Sequence, residues 1–180
     1  MLIKSSDSCL FVVDVQSRLL PVMNDPDRLV RNCRILLQAA RRLEVPILTS
    51  EHYPRGIGAT DAALADLIPD ESVAEKIHFS SYAEPDLRDR IEQTSRRQFV
   101  LSGIEAHVCV LQTALDLAEA GYETFVVADA TSSRSESDHD AALQRLRDFG
   151  VTIVTTEMVV FEWLRRAGTP VFKELLQLIK

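Results

Sequence analysis

The sequence is poor in cysteine. Its 180 residues contain three cysteines, Cys9, Cys33 and Cys109, and no two of them form a C-x-x-C pair. An odd number of well-separated cysteines excludes both a disulfide framework and a zinc knuckle. We therefore expect a protein of a reducing compartment.

Positive charge is also scarce and is nowhere clustered. Lys and Arg number 20 against 27 Asp and Glu, which gives a net charge of −7. Such a chain is poorly suited to neutralise the phosphates of nucleic acid or an anionic membrane. No apolar stretch reaches the roughly eighteen residues of a membrane span, and the first residues lack a small-residue cleavage site. We expect a soluble cytoplasmic protein with a small-molecule substrate and no nucleic-acid or membrane partner.

Motifs for nucleotides and metals are missing as well. A dinucleotide site needs G-x-G-x-x-G directly after the first strand, where residues 14–18 read DVQSR, and no G-x-x-x-x-G-K-[ST] occurs. The four histidines are scattered, with no H-x-H or D-x-H spacing. We therefore predict neither a bound metal nor a cofactor.

What the sequence does contain is an alternation of strand-like apolar runs with helical patterns. The clearest helix begins after Asp25, which can cap it, with Pro26 at the first helical position. The predicted strands cover residues 9–13, 45–49, 72–79, 98–102, 124–128 and 151–155. This order predicts a single domain over residues 1–180, with a three-layer α/β/α architecture. We expect a six-stranded parallel sheet in the Rossmann-like order 3-2-1-4-5-6.

Ligands of such sheets bind beyond the carboxyl ends of the strands, and Cys109 follows the fourth strand. It lies at the first turn of a predicted helix, where unpaired N–H groups and the helix dipole favour a nucleophilic thiolate. The alternative is a buried cysteine that acts as a small hydrophobe. Cys9, inside a strand, and Cys33, on the apolar face of a helix, are predicted to be core residues.

Two charged residues follow other strands in the same way. Asp14 ends the first apolar strand, where a carboxylate is costly unless it is paired or takes part in chemistry. Its alternative role is that of a capping or turn residue. Lys76, flanked by apolar residues, could point its charge into the same cleft and keep Asp14 ionised. Taken alone, it would equally be a solvated lysine at a strand edge.

Three segments together resemble the isochorismatase-like cysteine hydrolase family, which includes nicotinamidases, carbamoyl-amide hydrolases and isochorismatases. Residues 11–16 (FVVDVQ) are similar to the first-strand motif of that family. Residues 76–82 (KIHFSSY) match K-x-x-[FY]-S-[AS]-[FY], and residues 103–110 (GIEAHVCV) resemble G-[IV]-x-x-x-x-C-V. The resemblance covers nearly the whole chain, and residues 53–58 and 130–134 look more like a short, poorly characterised branch of the family.

The resemblance implies a role for each matched residue. Cys109 would be the nucleophile, Asp14 the base that takes its proton, and Lys76 the cation that orients Asp14. It also implies a cis peptide between Ile104 and Glu105, with the backbone N–H groups of Glu105 and Cys109 as an oxyanion hole. The implied reaction is hydrolysis of a small amide, imide or related carbonyl compound, at a C–N bond other than a peptide bond, through a thioester.

The walls of the pocket and the assembly are further expectations. Residues at the same strand ends as the triad are candidates for substrate binding: Gln16, Tyr53, Phe79, Tyr82 and His107. Nicotinamidases of the family bind a metal through a D-x-H segment, whereas residues 51–54 here read EHYP, so we expect no metal-assisted nicotinamide binding. Family resemblance implies a homo-oligomer. Apolar residues of the C-terminal helices could supply a subunit contact or simply close the monomer core.

Two other functions remain open at this point. In true isochorismatases the aspartate acts as general acid in vinyl-ether hydrolysis without a thioester, a role that Asp14 could fill. A non-catalytic oligomeric ligand-binding protein could also retain the three residues. The resemblance does not imply a particular substrate.

Overall fold

The computed structural model describes residues 1–180 and contains one sheet of six parallel strands. The strands are β1 (Ser8–Val13), β2 (Ile47–His52), β3 (Val73–Lys76), β4 (Gln98–Ile104), β5 (Glu123–Ser132) and β6 (Thr152–Val154). They are arranged in the order β3-β2-β1-β4-β5-β6. The predicted architecture and strand order are therefore confirmed.

Helices cover both faces of the sheet. They are α1 (Pro26–Arg42), α2 (Pro54–Ile57), α3 (Ala62–Ala65), α4 (Pro85–Gln93), α5 (Leu111–Glu119), α6 (Glu136–Phe149), α7 (Thr156–Leu164) and α8 (Pro170–Leu175). Apolar side chains of α1, α3, α7 and α8 pack on one face, and those of α4, α5 and α6 on the other. Because both faces are covered, β1 is buried along its whole length and reads as a continuous apolar run. None of the helices combines the length and apolar character that crossing a membrane requires.

The start of α1 follows the sequence signals closely. The Asp25 side chain accepts a hydrogen bond from the backbone N–H of Arg28 at 3.2 Å, and Pro26 is the first helical residue. Cys33 lies on the buried face of this helix, as predicted. A strong cap and a regular apolar face make this element readable without tertiary information.

Other element boundaries differ from the predictions. β2 begins at Ile47 because the N–H of Val45 donates to Ala40 at 2.8 Å to end α1, and Pro46 has no N–H for a ladder. β3 ends at Lys76, earlier than predicted. The helix α4 occupies a segment for which the apolar pattern suggested no element.

The approach of β4 to β1 depends on Gly103. Its φ is +115°, and a Cβ built there would lie 2.0 Å from the carbonyl oxygen of Val13. Only glycine allows this contact, since any larger residue would push the strands apart. The turn that follows β4 is thereby brought against the residue next to Asp14.

Candidate active site

The three predicted catalytic residues lie at the edge of the sheet formed by the carboxyl ends of its strands. Asp14 follows β1, Lys76 ends β3, and Cys109 lies in a π-helical turn, Ala106–Val110, between β4 and α5. The Nζ atom of Lys76 lies 2.6 Å from Oδ2 of Asp14, and neither side chain has any exposed surface. The charges of both residues act on the thiol of Cys109. The fold thus assembles a carboxylate, an ammonium and a thiol from three separate segments.

The ammonium group of Lys76 is held by three acceptors. Besides Asp14, it donates to the backbone carbonyl oxygens of His78 at 3.2 Å and Phe79 at 3.1 Å. An ammonium group has three N–H donors, so all of them are used. A buried charge is tolerated when it is paired and hydrogen-bonded, and these contacts meet that condition.

The other oxygen of Asp14 is held by a residue that the sequence analysis did not single out. The hydroxyl of Ser50 donates to Oδ1 of Asp14 at 2.7 Å, and its backbone carbonyl accepts from the N–H of Asp14 at 3.1 Å. Ser50 comes directly after the predicted second strand. That position, a polar residue at a strand end, is the signal that could have identified it.

The thiol of Cys109 is protonated at rest. Burial raises the pKa of Cys109 to about 12, the charge of Asp14 adds to the rise, and Lys76 partly opposes it. Burial and the Asp14 carboxylate therefore oppose the thiolate that the helix N-terminus is expected to favour. Turnover at neutral pH therefore needs a group that can accept the thiol proton and return it.

The other two cysteines are core residues, as predicted. Cys9 packs in the layer of α4, α5 and α6, and Cys33 packs in the layer of α1. Burial raises the pKa of each of these thiols to about 12. They provide matched controls for Cys109.

The backbone around Glu105 has a free donor. The peptide bond between Ile104 and Glu105 is cis. The carbonyl of Glu105 accepts from the N–H groups of Val108 at 3.1 Å and Val110 at 3.2 Å, and its carboxylate pairs with Nε of Arg134 at 2.9 Å. Its own N–H has no acceptor in the protein, although the residue is buried.

Three of the proposed wall residues lie around this edge of the sheet. Phe79 is half exposed, and its ring stacks on that of His52 with the centroids 5.3 Å apart. His107 lies on the π-helical turn that contains Cys109, and its Nδ1 atom is 2.9 Å from the hydroxyl oxygen of Ser133. Tyr53 is exposed and lines an open cavity of about 300 Å³ beside Lys76. No three His, Cys, Asp or Glu side chains lie together in an arrangement that could hold a metal ion.

The structure places Gln16 and Tyr82 elsewhere. Gln16 is fully buried, and its amide accepts from the N–H of His52 at 2.7 Å and donates to the carbonyl oxygens of His52 and Gly58. It therefore holds the loop after β2. Tyr82 packs edge-to-face on Tyr122, with centroids 6.2 Å apart, within the layer of α4 and α5.

Comparison with known proteins identifies the family. Residues 8–158 match the family model of the isochorismatase domain. The chain belongs to the isochorismatase family. It is 37% identical over 178 residues to isochorismatase domain-containing protein 2 of Danio rerio, covering 98% of this chain and 89% of that protein. Isochorismatase domain-containing protein 1 of the same fish is 40% identical over 96% of this chain, which spans 61% of that protein's length.

Solved structures agree with this membership. A structure described as the MAR1 ribonuclease of Caenorhabditis elegans superposes with a TM-score of 0.93 at 34% identity, covering 99% of this chain and 92% of that one. The YcaC gene product of Escherichia coli, described as an octameric hydrolase of unknown specificity, has a TM-score of 0.93. The two sequences are 23% identical, and the superposition covers 99% of this chain and 90% of the Escherichia coli chain. This likeness shows a shared fold. The chain has the fold of an isochorismatase-family hydrolase.

Proposed function

We propose that the protein hydrolyses a small amide, imide or related carbonyl compound with Cys109 as nucleophile. The observation that carries the proposal is the buried pair of Asp14 and Lys76 beside the Cys109 thiol. The unpaired N–H of Glu105 adds a donor for an oxyanion. A thiol, a base, an orienting cation and an oxyanion donor are the groups that acyl transfer requires.

The first half of the reaction forms a thioester. The carboxylate of Asp14 accepts the thiol proton as Sγ of Cys109 attacks the carbonyl carbon. The N–H groups of Glu105 and Cys109 stabilise the resulting oxyanion. When the C–N bond breaks, the leaving nitrogen takes the proton from Asp14, and the carboxylate is restored. Because the resting thiol has a pKa of about 12, its activation depends on this base.

The second half uses the same base. A water molecule gives a proton to Asp14 as its oxygen attacks the thioester carbonyl, and the C–S bond then breaks. The sulfur of Cys109 recovers the proton from Asp14, which returns the enzyme to its starting state. Lys76 holds the Asp14 carboxylate in place between the two halves through its 2.6 Å contact.

The surroundings of the triad support a small, uncharged substrate. Asp14 and Lys76 cancel each other's charge inside the protein. Burial lowers the pKa of His52, and the charge of Lys76 lowers it further, so the imidazole is neutral at pH 7. Its ring and that of Phe79 form an aromatic wall. The net charge of −7 disfavours binding of the RNA phosphates, so we do not propose a ribonuclease activity like the one named for the Caenorhabditis elegans protein.

The protonated resting thiol also fits a second candidate. In isochorismatase-type hydrolysis of a vinyl ether, Asp14 would act as general acid and Cys109 would form no bond to the substrate. A homo-oligomer is a further prediction for either candidate. Light scattering after size-exclusion chromatography measures it directly.

A substrate screen with matched cysteine variants tests the proposal. The screen covers small amides, imides, ureas, nitrogen heterocycles and isochorismate. For an amide substrate, Cys109→Ala should lower kcat/KM by at least about a thousandfold, whereas Cys33→Ala should stay within about twofold of wild type. A Cys109→Ala variant that still hydrolyses isochorismate would support the second candidate. Wild-type protein that turns over none of these compounds, with Cys109 alkylated no faster than Cys33, would indicate a non-catalytic binding protein.

A further inference from the structure

A chain of three hydroxyl-bearing residues lies behind the catalytic carboxylate. The Oγ atom of Ser50 donates to Oδ1 of Asp14 at 2.7 Å, and Oγ of Ser81 lies 3.3 Å from Oγ of Ser50, to which it donates. The backbone N–H of Ser81 donates to Oγ1 of Thr113 at 2.9 Å. All three residues are fully buried. None of them belongs to the proposed triad.

We propose that Ser50, supported by Ser81, is a positioning residue that sets the orientation of the Asp14 carboxylate for proton exchange with Cys109. This inference rests on the proposed function and adds to it. It gives a role to two side chains outside the triad.

The geometry of the carboxylate explains why a second anchor matters. Lys76 holds Oδ2 at 2.6 Å, but a single contact leaves the carboxyl plane free to rotate about its bond to Cβ. The donor from Ser50 to Oδ1 fixes that plane, because both oxygens are then tied. A carboxylate offers about four lone-pair sites, so each oxygen keeps one for the thiol or a water molecule.

The chain also links the segments that carry the triad. Ser50 is in β2, Ser81 lies five positions after Lys76, and Thr113 lies four positions after Cys109 in α5. The hydrogen bond between Ser81 and Thr113 therefore joins the loop after β3 to α5, the helix that follows the turn carrying Cys109. Buried, fully connected polar networks of this kind specify one arrangement of their members.

Three buried serines form a matched series for the test. Ser50 contacts Asp14 directly, Ser81 contacts it through Ser50, and Ser102, in β4, makes no hydrogen bond to any of these three residues. All three side chains are fully buried, so each Ser→Ala change removes the same oxygen atom from a similar environment. Ser102→Ala therefore controls for the loss of a buried hydroxyl group as such.

The probe is p-nitrophenyl acetate, whose acetyl group can transfer to a thiol. Release of p-nitrophenolate gives the acylation rate, and the protein mass with peptide mapping confirms acetylation at Cys109. Ser50→Ala should slow acylation by about tenfold to a hundredfold, the effect of one hydrogen bond to a charged group. Ser81→Ala should slow it by about two- to fivefold, and Ser102→Ala should stay within about twofold.

The pH profile gives a readout that a structural role would not move. Asp14 faces Lys76 from β3, Cys109 from the π-helical turn and His52 from β2, and none of these is changed in the series. Ser50→Ala removes a donor to the ionised carboxylate, so the acid limb of the acylation rate should move to higher pH. Ser102→Ala should leave the limb in place. Thermal unfolding of each variant verifies that the fold is retained.

The possible failures are distinguishable. If wild-type protein is not acylated at Cys109, the proposed function and the inference are both overturned. If acylation of the wild type depends on Asp14 and Cys109 but Ser50→Ala matches Ser102→Ala in rate and acid limb, the inference alone is overturned. An effect of Ser102→Ala on the acylation rate as large as that of Ser50→Ala would likewise overturn the inference alone.

Discussion

Lys76 and Asp14 form an ion pair that is completely withdrawn from solvent. Their contact of 2.6 Å joins residues 62 positions apart, and two backbone carbonyls complete the shell of the ammonium group. A pair of this kind stabilises the fold only while both partners are present, because either charge alone would be left unpaired in the interior. The contact that holds the proposed base is therefore also one on which the stability of the fold depends.

Replacing the lysine should expose this dependence. Lys76→Met leaves the Asp14 carboxylate without its cation, and we expect the free energy of unfolding at pH 7 to fall by about 3–5 kcal/mol. Urea denaturation measures the change. Arg42→Ala is the control, since the 2.7 Å pair of Arg42 and Glu174 is solvent-exposed and should contribute less than about 1 kcal/mol. Equal losses in the two variants would contradict the buried-pair interpretation.

Asp14→Asn should separate thiol reactivity from turnover. The charge of Asp14 raises the pKa of Cys109 and that of Lys76 lowers it, so removing the carboxylate shifts this pKa downward from about 12. At a fixed pH below that value, a larger fraction of the thiol is ionised, and alkylation by iodoacetamide should become faster. Hydrolysis should be lost, because no base remains to exchange the proton.

The pH dependence of alkylation, followed by peptide mass spectrometry at Cys109, measures this shift. Cys33 in the same variant is the internal control: it is fully buried, so its rate reports any loosening of the fold, and the gain at Cys109 should exceed any change at Cys33. Slower alkylation of Cys109 in Asp14→Asn than in the wild type would show that the sign of the electrostatic effect is wrong.

Gly103 should be far less tolerant of alanine than a glycine of similar backbone conformation. A Cβ on Gly103 would lie 2.0 Å from the Val13 carbonyl oxygen, whereas one on Gly150, with φ of +106°, would meet nothing within 4 Å. We expect Gly103→Ala to lower the free energy of unfolding by at least about 3 kcal/mol and Gly150→Ala by about 1–2 kcal/mol. Chemical denaturation of the two variants provides the comparison, and similar values would count against the close approach of β1 and β4.

The loop after β2 should loosen when Gln16 is replaced. Gln16→Leu keeps the size of the side chain but removes its hydrogen bonds to the backbone of His52 and Gly58. Amide hydrogen exchange in peptides covering residues 53–60 should accelerate by about tenfold or more, as expected for the loss of over 1 kcal/mol of local stability. Gln144→Leu, on an exposed face of α6, should leave these peptides unchanged. Unchanged exchange in both variants would mean that Gln16 does not hold the loop.

Much of the fold is readable from local signals. The cap at Asp25, the proline after it and the apolar periodicity locate α1, and the alternation of elements predicts the parallel sheet. The helix α4 was not predicted, because its two buried apolar residues, Leu87 and Ile91, are too few to define an apolar face among charged residues. The early predicted start of β2 came from counting Val45, which instead closes α1.

The sequence by itself determined the identities and chain order of Asp14, Lys76 and Cys109, because each belongs to a short motif at a strand end. Only the tertiary structure decided how these groups behave. Burial and a neighbouring carboxylate raise the pKa of the Cys109 thiol, where helix position alone suggested the opposite. The strand-end position marks Ser50 as a candidate, but its contact with Asp14 spans 36 positions and is set only by the fold. Local signals specify secondary structure, but desolvation and hydrogen bonding depend on which distant residues the folded chain brings into contact.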